Sequence, residues 1–102
     1  MSEWTPEYTS EEDLKKISEW PYADYHGLME FIHGLWAFDA WGFTREEDIY
    51  YISTGGWSGN EDVIWAVKEN HMFWALYWQQ SKRGGHYIFA PLTMATMEKL
   101  EA

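Results

Sequence analysis

The sequence predicts a single α+β domain in which a mixed sheet of about four strands, two hairpins joined by a helix, packs with two or three helices. Three observations carry that expectation. Apolar residues recur at helical spacing at Leu14 and Ile17, from Tyr25 to Trp36 and from Val63 to Val67. Residues 41–53, 72–80 and 86–90 instead carry aromatic and β-branched runs suited to strands. Between the two kinds of segment lies ISTGGWSGNEDV, residues 52–63, where three glycines punctuate a change from strand to helix. The chain has 102 residues. A chain of this size buries about two-thirds of its unfolded surface, enough for a core and too little for a second domain or a long lid.

Residues 1–9 read as a polar, extended lead-in with Trp4, Pro6 and Tyr8, and residues 10–92 as the core of the domain. Ser10 opens the first helix. Glu11, Glu12 and Asp13 suit its positive first turn, and Pro21 forces its end near Trp20. The second helix is expected from about Ala23 to Trp36, with Tyr25, Leu28, Met29, Ile32, Leu35 and Trp36 on one stripe. His26, Glu30 and His33 flank that stripe at i, i+4 and i+7, a spacing that metal ligands could use, but no fourth ligand accompanies them and they read as a solvated flank.

Trp41 and Phe43, a polar break from Thr44 to Asp48, and Ile49 to Ser53 predict a hairpin, with no Asn-Gly or Asp-Gly to fix its turn. Asn60 to about Asn70 is the third helix, with Val63, Ile64 and Val67 inward. Trp65 lies about 200° round the wheel from Val63 and must cover another surface or meet a partner. Met72 to Gln80, MFWALYWQQ, has large groups at odd and even positions, which predicts a central strand buried on both faces. SKRGG turns the chain into a strand from His86 to Ala90, and residues 93–102 read as a terminal helix capped by Thr93.

Composition narrows the function. Seventeen acidic residues against seven basic ones give a net charge of -10, which opposes direct DNA binding and would suit a basic protein groove, although many ordinary soluble proteins are as acidic. Eight Trp and no Cys mean that rings, with no disulfide, must hold the core, consistent with a reducing cytoplasm. No apolar run approaches the roughly 20 residues of a membrane span, and the acidic N-terminus lacks a signal-peptide pattern.

The chemistry concentrates in two glycine-containing stretches. Gly55, Gly56 and Gly59 at a strand-to-helix junction suit close backbone approach to an anion, beside the positive end of a helix. Ser58 and Glu61 match the capping box S-x-x-E, so geometry alone is an equal reading. A single helical crossover from Thr54 to the run beginning near Met72 predicts two parallel strands whose C-terminal ends share an edge. Lys82, Arg83 and His86 would then converge on Gly55, Gly56, Trp57, Ser58, Gly59 and Asn60 to bind an anionic ligand. Neither a P-loop nor a Rossmann fingerprint is present, no cofactor or metal is implied, and no residue is assigned a catalytic role. Gly56, Trp57, Ser58 and Gly59 resemble part of a nucleophile elbow, but Asn60 replaces its closing glycine.

STGGWSGNE from Ser53, the FWALYW run from Phe73 and SKRGGHY ending at Tyr87 resemble small uncharacterised bacteriophage and prophage proteins, over about Ser10 to Phe89. The resemblance implies a bacterial host cytoplasm and an accessory role against host machinery, with no assigned activity. Two binding functions follow as expectations. One is capture of a nucleotide-like defence signal by the Gly loop, Lys82, Arg83 and His86. The other is mimicry of nucleic acid, with Glu11, Glu12, Asp13 and Glu19 occupying the basic groove of a host nuclease or CRISPR effector. A small serine hydrolase using Ser58 is a third, lesser alternative. Exposed aromatics such as Trp65 would also support a homo-oligomer.

Overall fold

Ser10 has extended backbone and its hydroxyl accepts from the Asp13 N–H at 3.1 Å, so the first helix begins where a cap was expected. The structure, a computed structural model, describes residues 10–37 and 39–101; the lead-in expected over residues 1–9 lies outside them. The element order is α1 (Glu11–Glu19), α2 (Tyr25–Leu35), α3 (Asp39–Gly42), β1 (Phe43–Glu46), β2 (Ile49–Ser53), α4 (Ser58–Glu69), α5 (His71–Tyr77), β3 (Trp78–Lys82), β4 (His86–Phe89) and α6 (Met94–Glu101). This is an α+β fold around one four-stranded sheet of order β1-β2-β4-β3.

Every neighbouring pair in that sheet is antiparallel, which corrects the mixed sheet expected from the crossover. The reason is that β4 folds back between its predecessors. β2 and β3 still run in the same direction, because each is antiparallel to β4, but they are not neighbours. Their C-terminal ends do meet one edge, with His86 of β4 paired to Ser53 on one side and to Lys82 on the other.

The MFWALYWQQ run is the larger correction. It is a short helix and then an edge strand. Met, Ala and Leu favour helices, and Phe73, Trp74 and Tyr77 fall on one helical stripe against the core while Met72 and Leu76 face outward. Asn70 makes the sharp joint between α4 and α5. Its side-chain amide is buried and donates to the carbonyls of Ile17 and Trp20 at 3.0 and 2.9 Å, tying that joint to the end of α1. Around the hairpin, Thr44 to Glu46 is strand and not break, and the turn is only Glu47 and Asp48, with Glu47 at a φ of 58°.

The sheet has two unlike faces. Phe43, Tyr50, Ile52 and Phe89 face the helices and join Leu28, Ile32, Val63 and Phe73 in the main core. On the other face Ile49, Ile88 and Ala90 form a small cluster with Tyr51, covered by Leu100 of α6. Thr93 caps that helix by accepting from the Thr96 N–H at 3.2 Å, as expected.

Candidate functional site

Period-2 alternation decides what lies on the partly covered face. In β2, Tyr50 and Ile52 turn to the helices, so Tyr51 and Ser53 take the opposite side. His86 and Lys82 join them through the register Ser53↔His86↔Lys82. Beyond the cover of α6, these strands leave a concavity of about 320 Å³ lined by Tyr51, Ser53, Lys82, His86 and Ile88, together with Ile52 and Tyr87. Its floor is ring and aliphatic, and one end is polar.

At the polar end the Ser53 hydroxyl and His86 Nδ1 are 2.6 Å apart. The hydroxyl is the natural donor if Nδ1 carries the lone pair, which would put the imidazole proton on Nε2. Among the described residues no carboxylate lies within ion-pair distance of His86, Lys82 or Arg83. Two other cations are already engaged. Arg45 meets Glu30 at 3.5 Å, and Lys99 meets Glu46 and Glu47 at 3.5 and 3.3 Å. Lys82 and Arg83 are therefore positive charges on an acidic chain with no ion-pair partner among the described residues.

The two glycine turns lie side by side, as the shared edge predicts. The Thr54 N–H donates to the Gly85 carbonyl at 3.0 Å. Thr54 is almost fully buried and organises the junction. Its hydroxyl accepts from the Gly56 N–H at 3.3 Å and donates to Glu61 Oε2 at 3.4 Å, and its carbonyl accepts from the Trp57 N–H at 3.1 Å. Gly55 and Gly56 supply the positive φ values, 63° and 80°, that this turn requires. Gly85 is held to glycine by contact as well as by its φ of 79°, since a Cβ there would stand 2.3 Å from Thr54 Oγ1.

These bonds reassign part of the expected ligand set. The N–H groups of Gly56 and Trp57 are spent inside the turn, and Glu61 puts a carboxylate at the positive end of α4. Asn60 is buried and structural. Its amide donates to the carbonyls of Ala37 and Thr54 at 3.1 and 3.2 Å and its oxygen accepts from the Ala37 N–H at 3.0 Å. Ser58 is the first helical residue, preceded by Trp57 as cap, and makes no capping hydrogen bond itself, so the expected capping box does not form. Thr54 instead holds the turn before α4, through the Gly56 N–H and the Glu61 carboxylate. Gly59 is buried in the first turn of α4.

The histidines of α2 enter a polar network beneath the hairpin. His26 contacts the Tyr50 hydroxyl at 2.9 Å and Asp48 at 3.0 Å, Tyr50 donates to Glu30 at 3.1 Å, and His33 contacts Asp39 at 3.0 Å. Burial raises the Tyr25 hydroxyl far above its ordinary value, and it shares its proton between the Asp48 and Phe89 carbonyls. These groups tie α2 to the sheet.

Tyr51, Ser53, Thr54 and Ile88 were not among the expected site residues. For Tyr51 and Ser53 the signal was the alternation of Ile49–Ser53, which puts two residue sets on opposite faces but does not say which face stays open. Among the described residues, no helix is long and apolar enough to cross a membrane. No known protein family, curated protein or solved structure matches this chain.

Proposed function

We propose that this chain is a non-enzymatic binding protein that captures an anionic, nucleotide-like ligand over the open sheet face, with Lys82, Arg83 and His86 receiving the anion. The observation that carries this reading is the concavity with a Tyr51 and Ile88 floor and a Lys82, His86 and Ser53 end. A planar base suits the floor and a phosphate suits the charged end. Gly55, Gly56, Ser58 and Asn60 then serve the architecture of the edge. The phage resemblance gives this reading its setting, a bacterial cytoplasm in which sequestering a nucleotide signal would counter host defence.

Catalysis is the weaker reading of the same residues. His86 hydrogen-bonds Ser53 and not Ser58, and among the described residues no carboxylate orients its imidazole as a triad would require. Nucleic-acid mimicry retains one supporting observation, the exposed Glu11 and Glu12 at the start of α1. Neutralising Glu11, Glu12 and Asp13 tests it, since mimicry requires slower association with a basic host protein and a flatter salt dependence.

A thermal-shift series with AMP, ATP and a cyclic dinucleotide tests the main reading, because a ligand bound only by the folded state raises Tm. At least one nucleotide should stabilise the wild type. Lys82→Ala and Arg83→Ala should each weaken it by about 1.5–3 kcal/mol while leaving the ligand-free Tm nearly unchanged. Stabilisation retained in the double variant, or absent in the wild type at millimolar ligand, would overturn the proposal.

A further inference from the structure

Lys68 of α4 is surrounded by rings. Its Nζ lies 5.9 Å from the Trp65 centroid, 5.6 Å from that of Trp74 and 6.0 Å from that of Tyr87. The three rings come from α4, α5 and β4, so the fold and not local sequence assembles them. Trp74 and Tyr87 meet at 69° with centroids 6.3 Å apart, making two walls of a corner. Trp74 is held in place by Trp78, stacked at 5.6 Å and 12°, and by Phe89, edge-on at 5.6 Å and 80°. Trp65 is 63% exposed and forms the solvent side.

Aromatic faces carry negative quadrupole charge and attract cations within about 6 Å of the centroid. All three distances fall near that limit, so the ammonium is shared among three rings and not seated on one. Among the described residues no carboxylate lies within ion-pair distance of Lys68, so the ammonium meets the three rings without an ion-pair partner. Three rings converging on one cation form an aromatic cage, the arrangement that recognises alkylated ammonium groups.

We propose that Trp65, Trp74 and Tyr87 form a binding cage for an alkylated ammonium group, in which Lys68 is the resident occupant of the ligand-free protein. A primary ammonium is strongly hydrated and sits on a flexible stem, so it yields its place readily. An alkylated ammonium carries its charge behind methyl groups and loses less water on entering a ring-lined space. The net charge of -10 draws cations to the chain. Tyr87 borders the open-face concavity, but its side chain packs with the main core on the helix side while its neighbour Ile88 faces the other way, so the cage does not rest on the anion reading.

The test is a titration of the full chain with choline chloride, at ionic strength held constant with sodium chloride, followed at the indole N–H resonances of Trp65 and Trp74. Wild type should bind weakly and saturably. Lys68→Gln removes the occupant and should tighten binding by about fivefold, whereas Lys68→Arg should behave like the wild type. Trp65→Ala, at an exposed position, should weaken choline in either background. The neutral isostere 3,3-dimethylbutan-1-ol should give no saturable shift, and a trimethyllysine peptide titrated alongside distinguishes a protein-borne ammonium from a free one. No saturable shift with choline or the peptide in wild type and Lys68→Gln, or an equal response to the neutral alcohol, would show that the rings only cover the Lys68 stem.

Discussion

On the helix-covered face of the sheet the polar groups are occupied: Tyr50, Asn60 and Asn70 each hold partners from other elements. Among the described residues no buried side-chain nitrogen or oxygen lacks a hydrogen bond. On the opposite face Leu100 of α6 packs against the Ile49, Ile88 and Ala90 cluster, and among the described residues Lys82 and Arg83 have no acidic neighbour within ion-pair distance. The difference separates polar residues that hold the fold from polar residues available to a ligand. Asn60 and Lys82 stand beside the two glycine turns that meet at one edge yet belong to different classes, so substitutions should affect stability in one and binding in the other.

The largest expected effect is on the covered face. Asn60→Leu leaves the Ala37 N–H and the carbonyls of Ala37 and Thr54 without partners, and should cost about 3 kcal/mol in urea denaturation. A loss below about 1 kcal/mol would mean that the junction does not depend on this amide.

Alkaline titration sharpens the comparison next. Burial, reinforced by the Glu30 carboxylate and opposed by Arg45, pushes the Tyr50 hydroxyl up from 10.0 to about 12. The unfolded chain therefore loses this proton first. Its stabilising contribution is complete below pH 10 and is lost as pH rises through about 12. Tyr50→Phe should flatten the fall in stability over that window, and an unchanged slope would show that the hydroxyl does not titrate as a buried group.

Helix caps provide the smallest and most specific contrast. Ser10→Ala should lower stability by about 1 kcal/mol, because Ser10 binds the Asp13 N–H. Ser58→Ala should stay within about 0.5 kcal/mol, because Ser58 caps nothing. Equal losses at the two serines would restore the capping box to the start of α4.

The parts of this fold legible in sequence were those decided locally. Ser10, Pro21 and Thr93 mark helix ends through their own side chains, and the outward Trp65 follows from helical geometry alone. The shared edge was also legible, because a crossover constrains strand direction whichever strands become neighbours. Strand order was not, since β4 enters between β2 and β3 through long-range pairing. MFWALYWQQ misled because an apolar run without polar punctuation fits a two-faced strand and a helix that buries only Phe73, Trp74 and Tyr77. In the site, Lys82 and His86 were readable as chemistry. Tyr51 and Ser53 were not, because their exposure depends on how far α6 reaches across the sheet.

The most direct test of the open-face site is a ¹H–¹⁵N correlation titration of the wild-type chain with ATP and a cyclic dinucleotide. Saturable shifts should cluster at Tyr51, Ser53 and the Lys82 to His86 turn, leaving the first turn of α1 unchanged, and Lys82→Ala should weaken them. Shifts confined to Glu11, Glu12 and Asp13, or no saturable shift with either nucleotide, would contradict the assignment of the open sheet face as an anion site.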